Sequence, residues 1–176
     1  FYYVWDALCT DSRFVFLFFS MFRDAQSARQ LLAQCPATNE VVSDGAFAYP
    51  RIIRERYCGQ AKHHQCINFE DKKHNNAIER EQNDLRRFLH PRRGFHSLTT
   101  GGIQLTGWWL YKNYLKNNMA INMTPAEKAG LIEPYRNQKT TKQKIAWLIK
   151  QATAVLWLLL TNRKCQQCQK KAYGKL

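Results

Sequence analysis

Acidic residues are scarce in this chain of 176: 13 Asp+Glu stand against 27 Lys+Arg, a formal net charge of +14. Long apolar runs are missing too. The longest, from Ala152 to Leu160, is far short of the roughly 20 residues a membrane-crossing helix needs, so no membrane role is expected. No internal repeat is visible, which excludes a solenoid or propeller. Six cysteines (Cys9, Cys35, Cys58, Cys66, Cys165, Cys168) form no compact framework, and no signal peptide precedes them. That pattern reads as free thiols in a reducing, cytoplasmic compartment. The chain opens without a start methionine in the aromatic run Phe1-Tyr2-Tyr3-Val4-Trp5, as a chain beginning in mid-fold would.

What remains is ordinary globular composition, 45% hydrophobic and 23% charged, enough for one domain with a real core. The positive charge is spread over several segments. Spread charge of this size favours salt-sensitive attraction to nucleic acid over general solubility or affinity for acidic lipid.

Hydrophobic periodicity gives the order strand, strand, helix, strand, helix, strand, helix, helix. Residues 1–9 and 13–20 read as a hairpin around Thr10-Asp11-Ser12. Arg23-Asp24 opens a helix that should stop near Cys35-Pro36. Val41 to Ser43 is a short strand, Tyr49 to Tyr57 a helix, and His63 to Phe69 a candidate strand. A long helix runs from Asn76 to His90, with Ile78, Leu85 and Leu89 as its apolar stripe. Another is expected to begin after Gly101-Gly102. Thr124-Pro125-Ala126-Glu127 carries the signature of a capping box. Ile145 to Leu160 reads as a buried or partner-facing helix, and 163–176 as a basic mobile tail. This order implies an α/β fold, a mixed sheet with helices on its faces.

Two carboxylates stand out in the basic background. Asp44 closes the run Val41-Val42-Ser43-Asp44-Gly45, and Glu79 lies in Asn75-Asn76-Ala77-Ile78-Glu79-Arg80 at the start of the long helix. Carboxylates converging from a strand end and a helix suit hard divalent cations, which catalyse phosphodiester chemistry. Asp44-Gly45 alone also reads as a turn, and Glu79 as a solvated helix residue, as Glu81 is expected to be. Steps of three and four put Glu79, Asn83, Arg86 or Arg87, and His90 on adjoining strips of the helix, a surface for DNA phosphates or an ordinary solvated face. Arg92 and Arg93, after Pro91, are presented outward as phosphate contacts. His63, His64 and Cys66 match no zinc spacing, and strand alternation points the two histidines apart. Cys165 and Cys168 supply two of four zinc ligands with no second pair following, which leaves a zinc site shared between two chains or a tail without function. Trp108, Trp109 and Tyr111 suit stacking on bases, but large aromatics here are more often core or interface.

The motifs around Asp44, Glu79 and Arg86-Arg87…Arg92-Arg93-Gly94-Phe95 resemble those of DDE transposases of bacterial and archaeal insertion sequences. The nearest pattern is the insertion-sequence-six family, relatives of retroviral integrase. Tyr2-Tyr3-Val4-Trp5, Arg23-Asp24-Ala25 and Thr124-Pro125-Ala126-Glu127 fit the same pattern, and the resemblance covers about residues 1–147. It implies a ribonuclease-H-like mixed sheet, Mg²⁺ or Mn²⁺ held by Asp44 and Glu79, DNA contacts at Arg86, Arg87, Arg92 and Arg93, and homo-oligomeric assembly on transposon ends and target DNA. It also implies that the family's first strand, with its catalytic Asp, is missing here. Asp6 is the nearby acidic residue available as a substitute. The expected organisation is a truncated catalytic core over 1–123, a helical extension over 124–160 and a tail over 161–176. The expected activity is transposition by hydrolysis and strand transfer, with this chain an inactive fragment. The alternatives are a non-catalytic DNA-binding remnant and an unrelated ribonuclease-H-like nuclease.

Overall fold

A computed structural model describes residues 2–46, 49–66, 76–92, 95–132 and 146, with the side chain of Arg92 excepted. Apart from residue 146, the expected helix over Ile145–Leu160 lies outside the described residues, as do the tail with Cys165 and Cys168, and Arg93. The chain divides into two compact units, Phe1–Ala129 and Gly130–Leu176. Everything below concerns the first.

The hairpin is present. Strand β1 (Tyr3–Leu8) pairs antiparallel with β2 (Val15–Ser20), from Tyr3 opposite Ser20 to Leu8 opposite Val15. Cys9 N–H donates to the Phe14 carbonyl at 2.9 Å, so Cys9–Phe14 is a hydrogen-bonded pair. Antiparallel pairs alternate, which turns the main-chain groups of Val4, Asp6 and Leu8 away from β2. Helix α1 (Ala25–Gln34) starts where Asp24 accepts from the Ser27 N–H at 2.8 Å and ends at Cys35. Strand β3 (Glu40–Ser43) pairs in parallel with β4 (Lys62–Gln65), and α2 (Tyr49–Arg56) connects them. Helix α3 (Asn76–Leu89) leads through a 3₁₀ turn (His90–Arg92) to α4 (Leu98–Leu110), which continues as a π-helical turn (Tyr111–Leu115). The short α5 (Pro125–Lys128) has the expected capping box: Thr124 accepts from the Glu127 N–H, and Glu127 accepts from the Thr124 N–H.

Side-chain alternation along the hairpin feeds two cores. Trp5, Ala7 and Phe16 pack on Ala28, Leu32, Ile52 and Ile53 from α1 and α2. Val4, Leu8 and Val15 pack on Leu85, Leu105 and Trp108 from α3 and α4. The hairpin is therefore the middle layer between two helical layers.

Two expectations change. The strands form two separate pairs, β1–β2 and β3–β4, and not one mixed sheet; among the described residues β1 and β3 each have a single strand neighbour. The common element is the α1–α2 core, on which Val41 of β3 also packs. Second, Gly101 and Gly102 lie inside α4 and do not precede it. Ser97 caps that helix by accepting from the Thr100 N–H at 3.0 Å. Gly101 sits there because a Cβ would come within 2.6 Å of the Phe19 ring and 2.9 Å of Phe95. The glycine marks a close approach of helix to sheet, which mimics a helix boundary in the sequence.

Candidate functional site

Asp44 directly follows β3 and is exposed. Its carboxylate accepts from the Ala46 N–H at 3.2 Å, closing a tight turn over Gly45. The main chain is held from below: the Ser43 hydroxyl donates to the Asp44 carbonyl at 3.0 Å and meets His63 Nε2 at 2.8 Å. Since the hydroxyl proton goes to the carbonyl, the imidazole N–H is the donor to Ser43. Burial, then the neighbouring His64, holds the His63 pKa below the usual histidine value, in keeping with a neutral ring. His64 turns elsewhere and pairs with Glu40 at 2.8 Å. The two histidines take different partners, as strand alternation implies.

Asp6, expected only as a substitute for a missing carboxylate, sits in a desolvated environment. Burial pushes its pKa up to about 6. A hydrogen bond from Gln82 Nε2 to its Oδ1, at 3.1 Å, and the charge of Arg86 act in the opposite direction, while the charge of Asp44 adds to the rise. Asp44 therefore lies within electrostatic reach of Asp6. Tyr49 completes the neighbourhood. Burial first, then the charges of Asp44 and Asp6, raise its hydroxyl to about 12, and its ring lies 6.4 Å from that of Trp5.

Glu79 is in the first turn of α3 and is exposed. Residues 79, 82, 83 and 86 share one strip of a helix. Gln82 and Arg86 on that strip both act on Asp6, so Glu79 stands at the N-terminal end of the strip turned toward β1. Glu81, expected to be solvated, is 8% exposed and paired with Lys112 Nζ at 2.5 Å. Two residues along a helix is over half a turn, which explains why neighbours in sequence serve opposite flanks.

Of the four arginines, Arg86 and Arg87 are exposed, and Arg86 also donates to Asn83 Oδ1 at 3.2 Å. Arg92 lies in the 3₁₀ turn. Trp108 is buried, and the Trp109 indole donates to the Val15 carbonyl at 2.7 Å, so these two rings are committed to the core; Tyr111 remains 52% exposed. Asn113 and Lys112 were invisible as structural residues in the sequence, because each bonds an element far away in the chain and no local pattern marks it. Among the described residues, no three His, Cys, Asp or Glu side chains gather closely enough to hold a metal ion. No described helix is long and apolar enough to cross a membrane.

Residues 1–118 match the family model of the DDE domain. The match spans well over half of the chain, and the chain belongs to the DDE transposase domain family. No curated protein matches it. DDE transposases act on DNA, which gives the positive charge its partner at the level of the family.

Proposed function

We propose that this chain carries the core of a DDE transposase of the insertion-sequence-six type, ribonuclease-H-like in fold, a kind of enzyme that performs DNA transposition by metal-dependent phosphodiester hydrolysis and strand transfer; with two of its carboxylates assigned, the chain alone is expected to be inactive. Asp44 and Glu79 are its metal-holding carboxylates, and Arg86, Arg87, Arg92 and Arg93 its DNA contacts. The observation that carries the reading is the Gln82–Asp6 hydrogen bond, combined with the reach of the Asp44 charge to Asp6. Both support a reading in which the Glu79 strip of α3 and the end of β3 serve one region of β1.

The donor chemistry fits Mg²⁺ or Mn²⁺. Asp44 and Glu79 are exposed oxygen donors of the kind hard divalent cations prefer. Asp44 and Glu79 would hold such an ion, which would supply charge stabilisation to the attacking and leaving oxygens of a phosphodiester. The chain's own residues do the rest. The turn at Ala46 and the Ser43–His63 pair orient Asp44, and Gln82 holds α3 against β1. The arginines hold phosphates and set the position of the strand. Homo-oligomeric assembly on DNA ends and a cytoplasmic location belong to the same proposal.

Manganese titration followed by electron paramagnetic resonance, with and without duplex DNA, tests it. Binding should weaken strongly in Asp44→Asn and in Glu79→Gln, each by well over tenfold. DNA binding without any Mn²⁺ binding in the wild type would reduce the chain to a DNA-binding protein.

A further inference from the structure

Among the described residues outside the candidate site, Lys112 is the least exposed charged residue. The residue is 5% exposed, and its ammonium bonds Glu81 Oε2 at 2.5 Å and Asp84 Oδ2 at 2.7 Å, while Lys116 also bonds Asp84, at 3.1 Å. Burial alone would lower the Lys112 pKa, but its hydrogen bonds to Asp84 and Glu81, and their charges, outweigh it and keep the ammonium protonated. Glu81 and Asp84 thus lie on the flank of α3 that faces the π-helical turn. The opposite flank carries Gln82, bonded to Asp6 of β1.

We propose that Lys112 is a positioning residue for Glu79: by gripping Glu81 and Asp84 it sets the rotation of α3 about its axis, and so the place of the Glu79 carboxylate relative to Asp44. This inference rests on the metal reading of Asp44 and Glu79. The geometry behind it is a helix held on two sides. A helix residue turns by about 100° per position, so fixing residues 81, 82 and 84 leaves residue 79 no independent rotation. The grip comes from a π turn, a local irregularity that changes which side chains face inward. Through it Lys112, Asn113 and Tyr114 are all buried in succession. Lys112 reaches α3 while Asn113 bonds the Val15 main chain of β2. The same turn therefore ties the Glu79 helix to the hairpin that carries Asp6.

The test uses the full chain and Mn²⁺ alone as probe. Removing only the ammonium would strand two carboxylates, so the main variant is neutral on both sides: Lys112→Met with Glu81→Gln and Asp84→Asn. It should keep the thermal midpoint within a few degrees while Mn²⁺ affinity falls about tenfold, the scale of losing a residue that orients a metal ligand. Introduced into a Glu79→Gln background, the same neutral changes should cause no further loss, whereas in an Asp44→Asn background they should still cause the full one. A neutral variant with wild-type Mn²⁺ affinity, or losses that simply add with Glu79→Gln, would overturn the proposal. If the neutral variant does not fold, Asp84→Asn alone decides the matter by the same cycle with Glu79→Gln: coupling supports it and additivity overturns it. Failure of the metal reading looks different: the wild type and Glu79→Gln then bind Mn²⁺ equally or not at all, and the positioning role falls with it.

Discussion

The side-chain amide of Asn113 satisfies both main-chain groups of Val15: Oδ1 accepts from the Val15 N–H at 2.9 Å, and Nδ2 donates to the Val15 carbonyl at 2.9 Å. Asn113 is 0% exposed and Val15 1%, so neither main-chain group can turn to water. The edge of β2 is thereby closed by a side chain from the π turn, while Trp109 adds a second donor to the same carbonyl.

Asn113→Ala leaves the Val15 N–H buried without an acceptor. The expected cost is about 1–3 kcal/mol for the orphaned group, before any loss of packing. Urea unfolding measures it. An unchanged midpoint would mean that water reaches the strand edge.

Gly101→Ala puts a methyl group 2.6 Å from the Phe19 ring. Overpacking of this kind costs about 1–3 kcal/mol, against a gain of up to about 1 kcal/mol from better helix propensity. The net prediction is a lower melting temperature, recovered in part by Phe19→Leu. A more stable Gly101→Ala protein would show that α4 moves off the sheet at little cost.

Asp6 makes stability depend on pH. Its folded pKa, about 6, lies above its ordinary value of 3.8. The folded state therefore holds a proton that the unfolded state has released, and stability falls as pH rises from about 4 to about 6, then levels. The shift corresponds to about 3 kcal/mol at most. Asp6→Asn should remove that decline and leave the protein more stable at pH 8. Equal pH profiles for the two proteins would show Asp6 to be ionised in the fold throughout.

DNA affinity should fall steeply with salt. On duplex DNA, every phosphate that a variant no longer neutralises should lower the log–log salt slope by about 0.9. Arg87→Ala and the Arg92→Ala/Arg93→Ala pair should therefore each flatten it. The effect should be alike on all sequences, since phosphate contacts carry no base information. Glu79→Gln should bind DNA as tightly as the wild type or slightly more so. Fluorescence anisotropy across a salt series reads all three, and an unchanged slope would take those arginines out of the DNA path.

By itself the sequence determined the local elements and their order. The hairpin around Thr10-Asp11-Ser12, the Asp24 cap of α1, the apolar sides of α2 and α3 and the Thr124 capping box all follow from short-range patterns, because caps, turns and periodicity are set by residues a few positions apart. The Asp44 and Glu79 motifs were legible in the same way, with their order in the chain. Only the tertiary structure decided which neighbour does what. It buried Glu81 on Lys112 and left Glu79 exposed, set Asp6 under Gln82 within reach of Asp44, and drew Gly101 onto Phe19 inside a helix. Among the described residues it also divided the strands into two pairs that share the α1–α2 core. These outcomes depend on desolvation and close packing between segments many residues apart, and no local pattern encodes such distances.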